Sequence, residues 1–258
     1  MISVLLMNYL YFTGTAGSGK SSLVQAYQEW LDNIGLESII VNLDPGADYL
    51  PYDADVDIRD WVNLSEVMEE YSLGPNGAQI AAADLMAVNI KEWGPAVKEM
   101  GAKFALVDTP GQMELFAFRQ SSTAIIEELG RDSGFLLFLS DPMLARSPNG
   151  FVSDMMLCAI TQFRFSIPIL NILSKSDILS EDILAEMETW AKDPYALYNA
   201  LTDGSIDSQS VMNIEFLKAM ESIGMYRELT PVSAEDGTGM EDIYNAVQQY
   251  FEGGEDAE

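Results

Sequence analysis

The stretch GTAGSGKSS at residues 14–22 decides the fold of this chain, because it contains the pattern G-x-x-x-x-G-K-[ST]. It lies between a strand-like run, NYLYFT at 8–13, and a run with helical spacing that ends at Gly35. Glycines let backbone N–H groups turn inward around phosphate oxygens at a helix N-terminus, which favours anions. The pattern predicts a phosphate-binding loop made of Gly14, Ala16, Gly17, Ser18, Gly19, Lys20, Ser21 and Ser22.

Two side chains of this stretch carry specific chemistry. We expect Lys20 to neutralise the β- and γ-phosphates of a nucleotide, and the Ser21 hydroxyl to bind Mg²⁺. Thr15 occupies the second position, which excludes the variant loop that has an additional lysine there. The plainer alternative is a glycine-rich turn with a solvated lysine.

Outside this stretch, apolar strand-like runs alternate with helical patterns, as in an α/β fold. The predicted strands lie within 8–13, 37–44, 103–111, 134–142, 167–177 and 227–234, and helices are predicted at 57–71, 79–100, 151–165, 181–200 and 240–251. We therefore expect a three-layer P-loop NTPase fold, with a mainly parallel sheet and helices on both faces. The prediction is a single domain over 1–258, with an insertion at about 57–100 and a frayed tail at 253–258.

The segment DTPG at 108–111 follows one of the buried strands. An aspartate that leaves such a strand can hold Mg²⁺ directly or through water, and the glycine after it can offer a backbone N–H to a γ-phosphate. Asp108 and Gly111 are therefore candidates for the metal and phosphate site. By itself the same tetrapeptide is also an ordinary turn.

Two further segments are candidates for recognising a base. In SKSD at 174–177, Asp177 can accept hydrogen bonds from N1–H and the exocyclic amine of guanine, which adenine does not offer, while the Lys175 stem stacks on the base. Ser233 and Ala234 follow the next strand, where a backbone N–H can meet the guanine O6. The alternative for SKSD is a helix cap.

These four motifs, in this order, resemble the GTPase superfamily, and Gly74-Pro75-Asn76 makes the chain similar to the GPN-loop GTPases. NLDP at 42–45, DIRD at 57–60, and Gln112 with Glu114 support the resemblance, which extends from about residue 8 to residue 250. Ser174 is a departure, because the superfamily commonly has asparagine there; serine shortens the reach to the base and to the P-loop.

The resemblance implies Mg²⁺-dependent hydrolysis of GTP to GDP by an archaeal-type homodimer that acts as a switch or assembly factor. Asn76 of one subunit would enter the nucleotide site of the other, although GPNG read locally predicts only a turn. Asp44 and Asp108 would surround the metal, and Gln112 and Glu114 would orient the water. By family analogy alone, RNA polymerase subunits are a possible type of protein client.

Composition limits the remaining possibilities. With 41 acidic and 13 basic residues and no histidine, the net charge of −28 argues against binding to nucleic acid or to an anionic membrane. The lack of an apolar run of about 18 residues, the absence of a signal-like start and the single Cys158 predict a cytoplasmic protein. Met7 is an alternative start to Met1.

Two rival functions remain open from the sequence. A P-loop small-molecule kinase would share Lys20 and Ser21, but it usually needs several arginines in a lid, and the six arginines of this chain are scattered. A nucleotide-gated assembly or binding module with little hydrolysis is the second rival. In that case the nucleotide would only set the conformation.

Overall fold

A seven-stranded, all-parallel sheet forms the centre of the computed structural model, which describes residues 7–203, 208–226 and 228–253. The strands, in chain order, are β1 (Asn8–Gly14), β2 (Ser38–Asn42), β3 (Val56–Asp57), β4 (Phe104–Asp108), β5 (Gly134–Ser140), β6 (Ile169–Leu173) and β7 (Thr230–Pro231). Their order across the sheet is β3-β2-β4-β1-β5-β6-β7. The predicted parallel sheet is confirmed.

Twelve α-helices lie between or after these strands within the described residues. They are α1 (Lys20–Asn33), α2 (Leu64–Glu70), α3 (Pro75–Val88), α4 (Ile90–Glu99), α5 (Met113–Phe116), α6 (Gln120–Leu129), α7 (Pro142–Ala145), α8 (Pro148–Phe165), α9 (Glu181–Lys192), α10 (Pro194–Thr202), α11 (Ser208–Ser222) and α12 (Met240–Glu252).

The central strands are buried on both faces, so alternate side chains of one strand belong to different cores. On one face, Tyr9 and Tyr11 of β1 pack with residues of α2, α3, α4, α6 and α8. On the other face, Leu10 and Phe12 pack with α1 and α12. This arrangement confirms the three predicted layers. A further cluster around Trp190 joins α7–α11.

Parallel pairing brings the polar ends of the strands to one edge of the sheet. Asp108 at the end of β4 is in register with Phe12 of β1 and with Asn42 of β2. On the other side of β1, Gly14 is in register with Leu139 of β5. The segments that follow these strands therefore meet at the carboxyl edge, where open α/β sheets bind ligands.

The structure corrects the interpretation of GPNG as a turn between two helices. Gly74 is the N-cap of α3 and Pro75 is its first residue, so Asn76 lies in the first helical turn. Proline suits this position because its missing N–H would have no intrahelical partner and its fixed φ fits the helix. The helix thus begins at 75 rather than at 79, and the predicted helix 79–100 ends at Val88 before α4 starts.

Other boundaries also differ from the predictions. Residues 57–60, expected to begin a helix, form the end of β3 and a short 3₁₀ turn. The helix predicted over 181–200 is two helices, because Pro194 cannot continue the backbone hydrogen bonds of α9 and instead begins α10. Residues 1–6, which precede the alternative start at Met7, and residues 254–258, most of the predicted tail, lie outside the described residues.

The single cysteine of the chain, Cys158, lies on α8 with 2% of its surface exposed and belongs to the core that contains Tyr9 and Tyr11. Across the described ranges, no helix is both long enough and apolar enough to cross a membrane.

Candidate nucleotide-binding site

The loop between β1 and α1 has the conformation that its glycines predict. At Gly14, where φ is +154°, an added Cβ would lie 2.5 Å from the Leu139 carbonyl oxygen. Gly19, with φ of +91°, is the N-cap of α1, and an added Cβ there would lie 3.1 Å from Lys175 Cε. A side chain at either position would strain the backbone. At Gly14 it would also clash with the Leu139 carbonyl, whereas at Gly19 the flexible Lys175 side chain would have to shift slightly.

Lys20 is nearly buried at the start of α1, with 6% of its surface exposed. Its ammonium donates hydrogen bonds to the carbonyl oxygens of Gly14 (3.1 Å) and Thr15 (2.9 Å). Burial lowers the pKa of Lys20, and the carboxylates of Asp108 and Asp44 oppose this shift. The Lys20 ammonium is therefore held against the loop, and both predicted metal carboxylates act on its charge.

Asp44 joins two parts of the predicted phosphate site. Its Oδ1 accepts a hydrogen bond from the Gly46 N–H (2.9 Å), and its Oδ2 accepts one from the Gly111 N–H (3.1 Å). The Asn42 side chain fixes the start of this loop by accepting from the Asp44 N–H at 3.0 Å. The N–H that the sequence assigns to a γ-phosphate thus donates to Asp44 in this structure.

Asp108 is 2% exposed, and its two carboxylate oxygens differ in their hydrogen bonding. Oδ2 accepts a hydrogen bond from the Tyr52 hydroxyl at 2.5 Å. Oδ1 is buried, and no hydrogen bond of standard geometry reaches it. Burial raises the pKa of Asp108, while the Ser21 and Tyr52 hydroxyls and the Lys20 ammonium lower it. Tyr52 was missed by sequence reasoning, because a single tyrosine 56 residues before its partner carries no motif.

These groups fit a magnesium ion that is bound together with a nucleotide. The buried, unpaired Oδ1 of Asp108 and the neighbouring Ser21 hydroxyl are oxygen ligands of the kind Mg²⁺ prefers. Among the described residues there is no cluster of three or more Asp, Glu, Cys or His side chains that could hold a metal. An ion here would complete its coordination with phosphate oxygens and water, which is common for Mg²⁺.

A cavity of about 340 Å³ lies over the phosphate loop. Its lining contains predicted site residues, namely Gly17, Gly19, Lys20, Ser21, Ser22, Asp44, Gly111 and Lys175, together with Thr109, for which no role was predicted. The predicted metal ligand Asp108 is not part of this lining. Gly14 and Ser18 are buried beneath this lining, whereas Ala16 is exposed.

A second cavity, of about 260 Å³, shares Gly19, Ser22 and Lys175 with the first. Asp177 and Ala234 line it. The Ser233 hydroxyl donates a hydrogen bond to Asp177 Oδ1 at 2.7 Å, so the predicted base acceptor is held in place. The Lys175 ammonium donates to the Gly17 carbonyl, which lays the lysine stem across the phosphate loop. The two adjoining cavities have the outline of a cleft for a nucleotide.

Ser174 compensates for the shorter reach expected of serine. Its hydroxyl lies 2.7 Å from the Ser18 carbonyl oxygen and 3.0 Å from the Ser140 carbonyl oxygen, so it contacts both the phosphate loop and the end of β5. The neighbouring Lys175 has a left-handed backbone, with φ of 52°. The serine therefore does reach the P-loop.

The hydrogen bonds of the Ser233-Ala234 segment indicate which of its two backbone N–H groups could contact guanine O6. The Ser233 N–H donates to the Thr238 carbonyl at 3.0 Å, and the Ser233 hydroxyl accepts from the Glu235 N–H at 3.1 Å. Because the Ser233 N–H is already engaged, Ala234 is the better candidate to contact O6. Ser233 instead contacts Asp177.

The structure does not bring Gln112, Glu114 or Asn76 into the lining of these two cavities. All three residues are exposed. Their roles stay predictions. Arg59 is held by hydrogen bonds to the Asp57 carboxylate and to the Ala47 carbonyl (2.8 Å), so its guanidinium is engaged within the β2–β3 region.

The fold and this cleft define the class: a P-loop nucleotide-binding protein. Residues 12–253 match the family described as "Conserved hypothetical ATP binding protein". The chain is 30% identical to GPN-loop GTPase 3 of Yarrowia lipolytica, over 86% of this chain and 84% of that protein. It is 31% identical to GPN-loop GTPase 1 of Dictyostelium discoideum, over 91% of this chain and 59% of that protein.

A solved structure of another GPN-loop GTPase is also similar to this chain. GPN-loop GTPase PAB0955 of Pyrococcus abyssi is 28% identical over 93% of this chain and 96% of that protein. Its apo crystal structure matches with a TM-score of 0.85 and 27% identity, and the match covers 95% of this chain and 97% of that one. The chain belongs to the GPN-loop GTPase family. It spans only 59% and 62% of the length of the first two curated relatives that it matches.

Proposed function

We propose that this protein binds GTP and hydrolyses it to GDP and phosphate with Mg²⁺ as cofactor. The observation that carries the proposal is the hydrogen bond from Ser233 to Asp177 beside the Lys175 stem, in a cavity that adjoins the phosphate loop. The names of the relatives, GPN-loop GTPases, support this choice over the ATP in the description of the family.

Guanine specificity follows from the acceptor chemistry of Asp177. An aspartate carboxylate accepts two hydrogen bonds from the N1–H and amino group of guanine, whereas adenine offers no such pair. A site built around buried or fixed polar groups rejects a base that leaves them unpaired. Ala234 would add one backbone N–H toward O6.

Mg²⁺, when bound, would neutralise phosphate charge, with Ser21 and Asp108 as its protein ligands and Asp44 beside them. Lys20 and the backbone N–H groups of the phosphate loop would stabilise charge on the β- and γ-phosphates. Gln112 and Glu114 would orient the attacking water. Because the chain has no histidine, the proton of that water would go to a carboxylate or to the γ-phosphate itself.

We also infer that the active form is a homodimer, in which Asn76 of each subunit completes the site of the other. This rests on the exposure of Gly74, Pro75 and Asn76 at the free end of α3. A helix N-terminus presents N–H groups that favour an anion such as phosphate. The protein would act in the cytoplasm as a switch or assembly factor, with a protein client rather than a nucleic acid or membrane.

The kinase alternative gains no support from three of the described arginines. Arg119 pairs with Asp84 and Arg131 with Glu127, as Arg59 pairs with Asp57. Side chains engaged in this way do not form the arginine lid of a small-molecule kinase. A nucleotide-gated module with little hydrolysis differs from the proposal only in rate.

Calorimetry with GDP and with ADP, each with Mg²⁺, tests nucleotide choice. We expect tight binding of GDP and negligible binding of ADP. Equal affinity, or a preference for ADP, would show that the base is read elsewhere and would reopen the kinase function.

Mixed dimers test the role of Asn76. Lys20→Ala should disable a subunit's own site, and Asn76→Ala should disable only its contribution to the partner. Each variant alone should hydrolyse GTP slowly, but a mixture should regain activity, because the first subunit supplies Asn76 to the intact site of the second. Failure of the mixture to regain activity, in a sample shown to contain mixed dimers, would contradict completion in trans.

A further inference from the structure

The connection between β2 and β3 carries two side chains into the phosphate end of the cleft. Asp44 near its start accepts from the Gly111 N–H, and Tyr52 near its end donates to Asp108. Both ends of the connection are anchored to the sheet. The Leu43 N–H donates to the Asp108 carbonyl at 2.9 Å, and Asp55 exchanges two hydrogen bonds with the backbone of Ile40, of 2.8 and 2.9 Å.

These anchors place the Tyr52 ring as well as its hydroxyl. The ring is partly buried and packs against the core that contains Phe12 and Tyr27. Tyr49, three residues earlier in the same connection, is 82% exposed. Only one of these two tyrosines therefore has its hydroxyl directed at a buried carboxylate.

We propose that Tyr52 is a positioning residue for Asp108. Its hydroxyl holds Oδ2, so that Oδ1 faces the magnesium position beside Ser21. This rests on the proposed function, since it takes Asp108 as the metal carboxylate. The 2.5 Å contact fixes the rotation of the carboxylate group, and Oδ1 is the buried oxygen that has no standard hydrogen bond.

The chemistry of a carboxylate in this position favours such an arrangement. A buried carboxylate with one unpaired oxygen is costly unless that oxygen meets a cation or donor. Hydrogen-bonding partners behind a metal ligand orient it, and their loss typically lowers metal affinity by about 10- to 100-fold. The Tyr52 hydroxyl stands in that relation to Asp108.

The test is Tyr52→Phe, which keeps the packed ring and removes only the hydroxyl, with Tyr49→Phe as the matched control. GDP affinity is measured by calorimetry with and without Mg²⁺, and Mn²⁺ affinity of the GDP complex by electron paramagnetic resonance. We expect the Mg²⁺-dependent gain in GDP affinity, and the Mn²⁺ affinity, to fall about tenfold in Tyr52→Phe. Affinity for GDP without metal, and both properties of Tyr49→Phe, should match the unmodified protein.

Two results would overturn the inference. An unchanged Mg²⁺-dependent gain would mean that Asp108 is positioned without Tyr52. An equal loss of GDP affinity with and without metal would mean that the hydroxyl supports the cleft in general rather than the metal ligand. If the unmodified protein gained no GDP affinity from Mg²⁺, the proposed magnesium dependence itself would fail, which distinguishes the two failures.

Discussion

The two ends of the cleft differ in how their polar groups are engaged. At the proposed base end, Ser233 donates to Asp177, and the Ser174 hydroxyl lies within hydrogen-bonding distance of two backbone carbonyls. The proposed recognition groups are therefore held by groups that the base would not contact. At the phosphate end, the groups that a nucleotide needs bond to one another, as Gly111 does to Asp44. The proposed base end is therefore preorganised, whereas the proposed phosphate end would have to exchange hydrogen-bond partners on binding a nucleotide.

The largest expected effect is at the phosphate end. Lys20→Ala removes a buried ammonium that would bind two phosphates and that now bonds to two loop carbonyls. Because each hydrogen bond to a charged group contributes about 1.5–3 kcal/mol, affinity for a non-hydrolysable GTP analogue, which has both phosphates, should fall at least about a hundredfold by calorimetry. Lys91→Ala, on the exposed side of α4, is the control and should bind normally. Near-normal binding by Lys20→Ala would remove the phosphate-loop assignment.

Asp177→Asn tests the base end with a reversal of specificity. The asparagine amide can donate to the 2-carbonyl of xanthine, where the carboxylate accepted from the guanine amine. GDP should bind about a hundredfold more weakly and xanthosine diphosphate correspondingly better, since a wrongly paired polar group costs about 1–3 kcal/mol. Asp182→Asn, exposed on α9, should leave both affinities unchanged. Retained GDP selectivity would place base recognition elsewhere.

Asp154 tests the buried hydrogen-bond network at the end of β5, where Ser140 contacts both Asp154 and Ser174. It is 2% exposed on α8 and contacts the Ser140 hydroxyl, which also lies 2.8 Å from Asn171 Oδ1. One hydroxyl proton cannot serve both acceptors, so a protonated Asp154 completes the network. Burial raises the pKa of Asp154 to about 7, the Ser140 hydrogen bond lowers it and Asp141 raises it further.

The sign of the pH effect follows from this raised pKa. Between the ordinary aspartate pKa of about 3.9 and about 7, the folded protein holds a proton that the unfolded chain releases. The free energy of unfolding attributable to Asp154 should therefore decrease by about 2–3 kcal/mol from pH 5 to pH 8. Asp154→Asn, a neutral isostere, should remove this pH dependence of the free energy of unfolding, measured by denaturant unfolding at each pH. Asp182→Asn should keep it. An unchanged slope in Asp154→Asn would contradict the assignment.

The smallest effect is expected for Ser233→Ala. Its hydroxyl orients Asp177 and accepts from the Glu235 N–H, and a neutral donor to a charged group that stays partly solvated contributes about 1 kcal/mol. GDP affinity should fall about fivefold. The gain in GDP affinity on adding Mg²⁺ should stay the same, because the substitution does not alter the phosphate end. A loss as large as that of Asp177→Asn would mean that the base end is less preorganised than the hydrogen bonds indicate. Ser180→Ala, nearby and exposed, serves as the comparison.

Local chemistry made much of the fold and cleft predictable. The glycine pattern around Lys20 forms the loop between β1 and α1, and each buried apolar run contains one strand. The SKSD segment follows β6 as expected. The helical start at Pro75 was also readable, since proline at a first helical position is a known signal. The local turn chemistry of GPNG led to the wrong choice there.

What could not be predicted depends on contacts distant in sequence. Tyr52 meets Asp108 only because β2 and β4 are neighbours, and β3 is a two-residue strand with no periodic pattern. Likewise, whether Ser174 reaches the phosphate loop depends on the spacing of Gly14 and Ser140, which sheet pairing sets. A single tyrosine or serine in the sequence has no signal for such a contact.

The burial of Cys158 has a practical consequence for spectroscopy. Since the chain has no other cysteine and this thiol is 2% exposed, a cysteine introduced at an exposed position would be the one readily labelled site. Spin labels attached in place of Asn76 would report the separation of the two α3 ends in an assembled pair. Measured with GDP and then with a non-hydrolysable GTP analogue, that distance would record nucleotide-driven movement without any change to the native core.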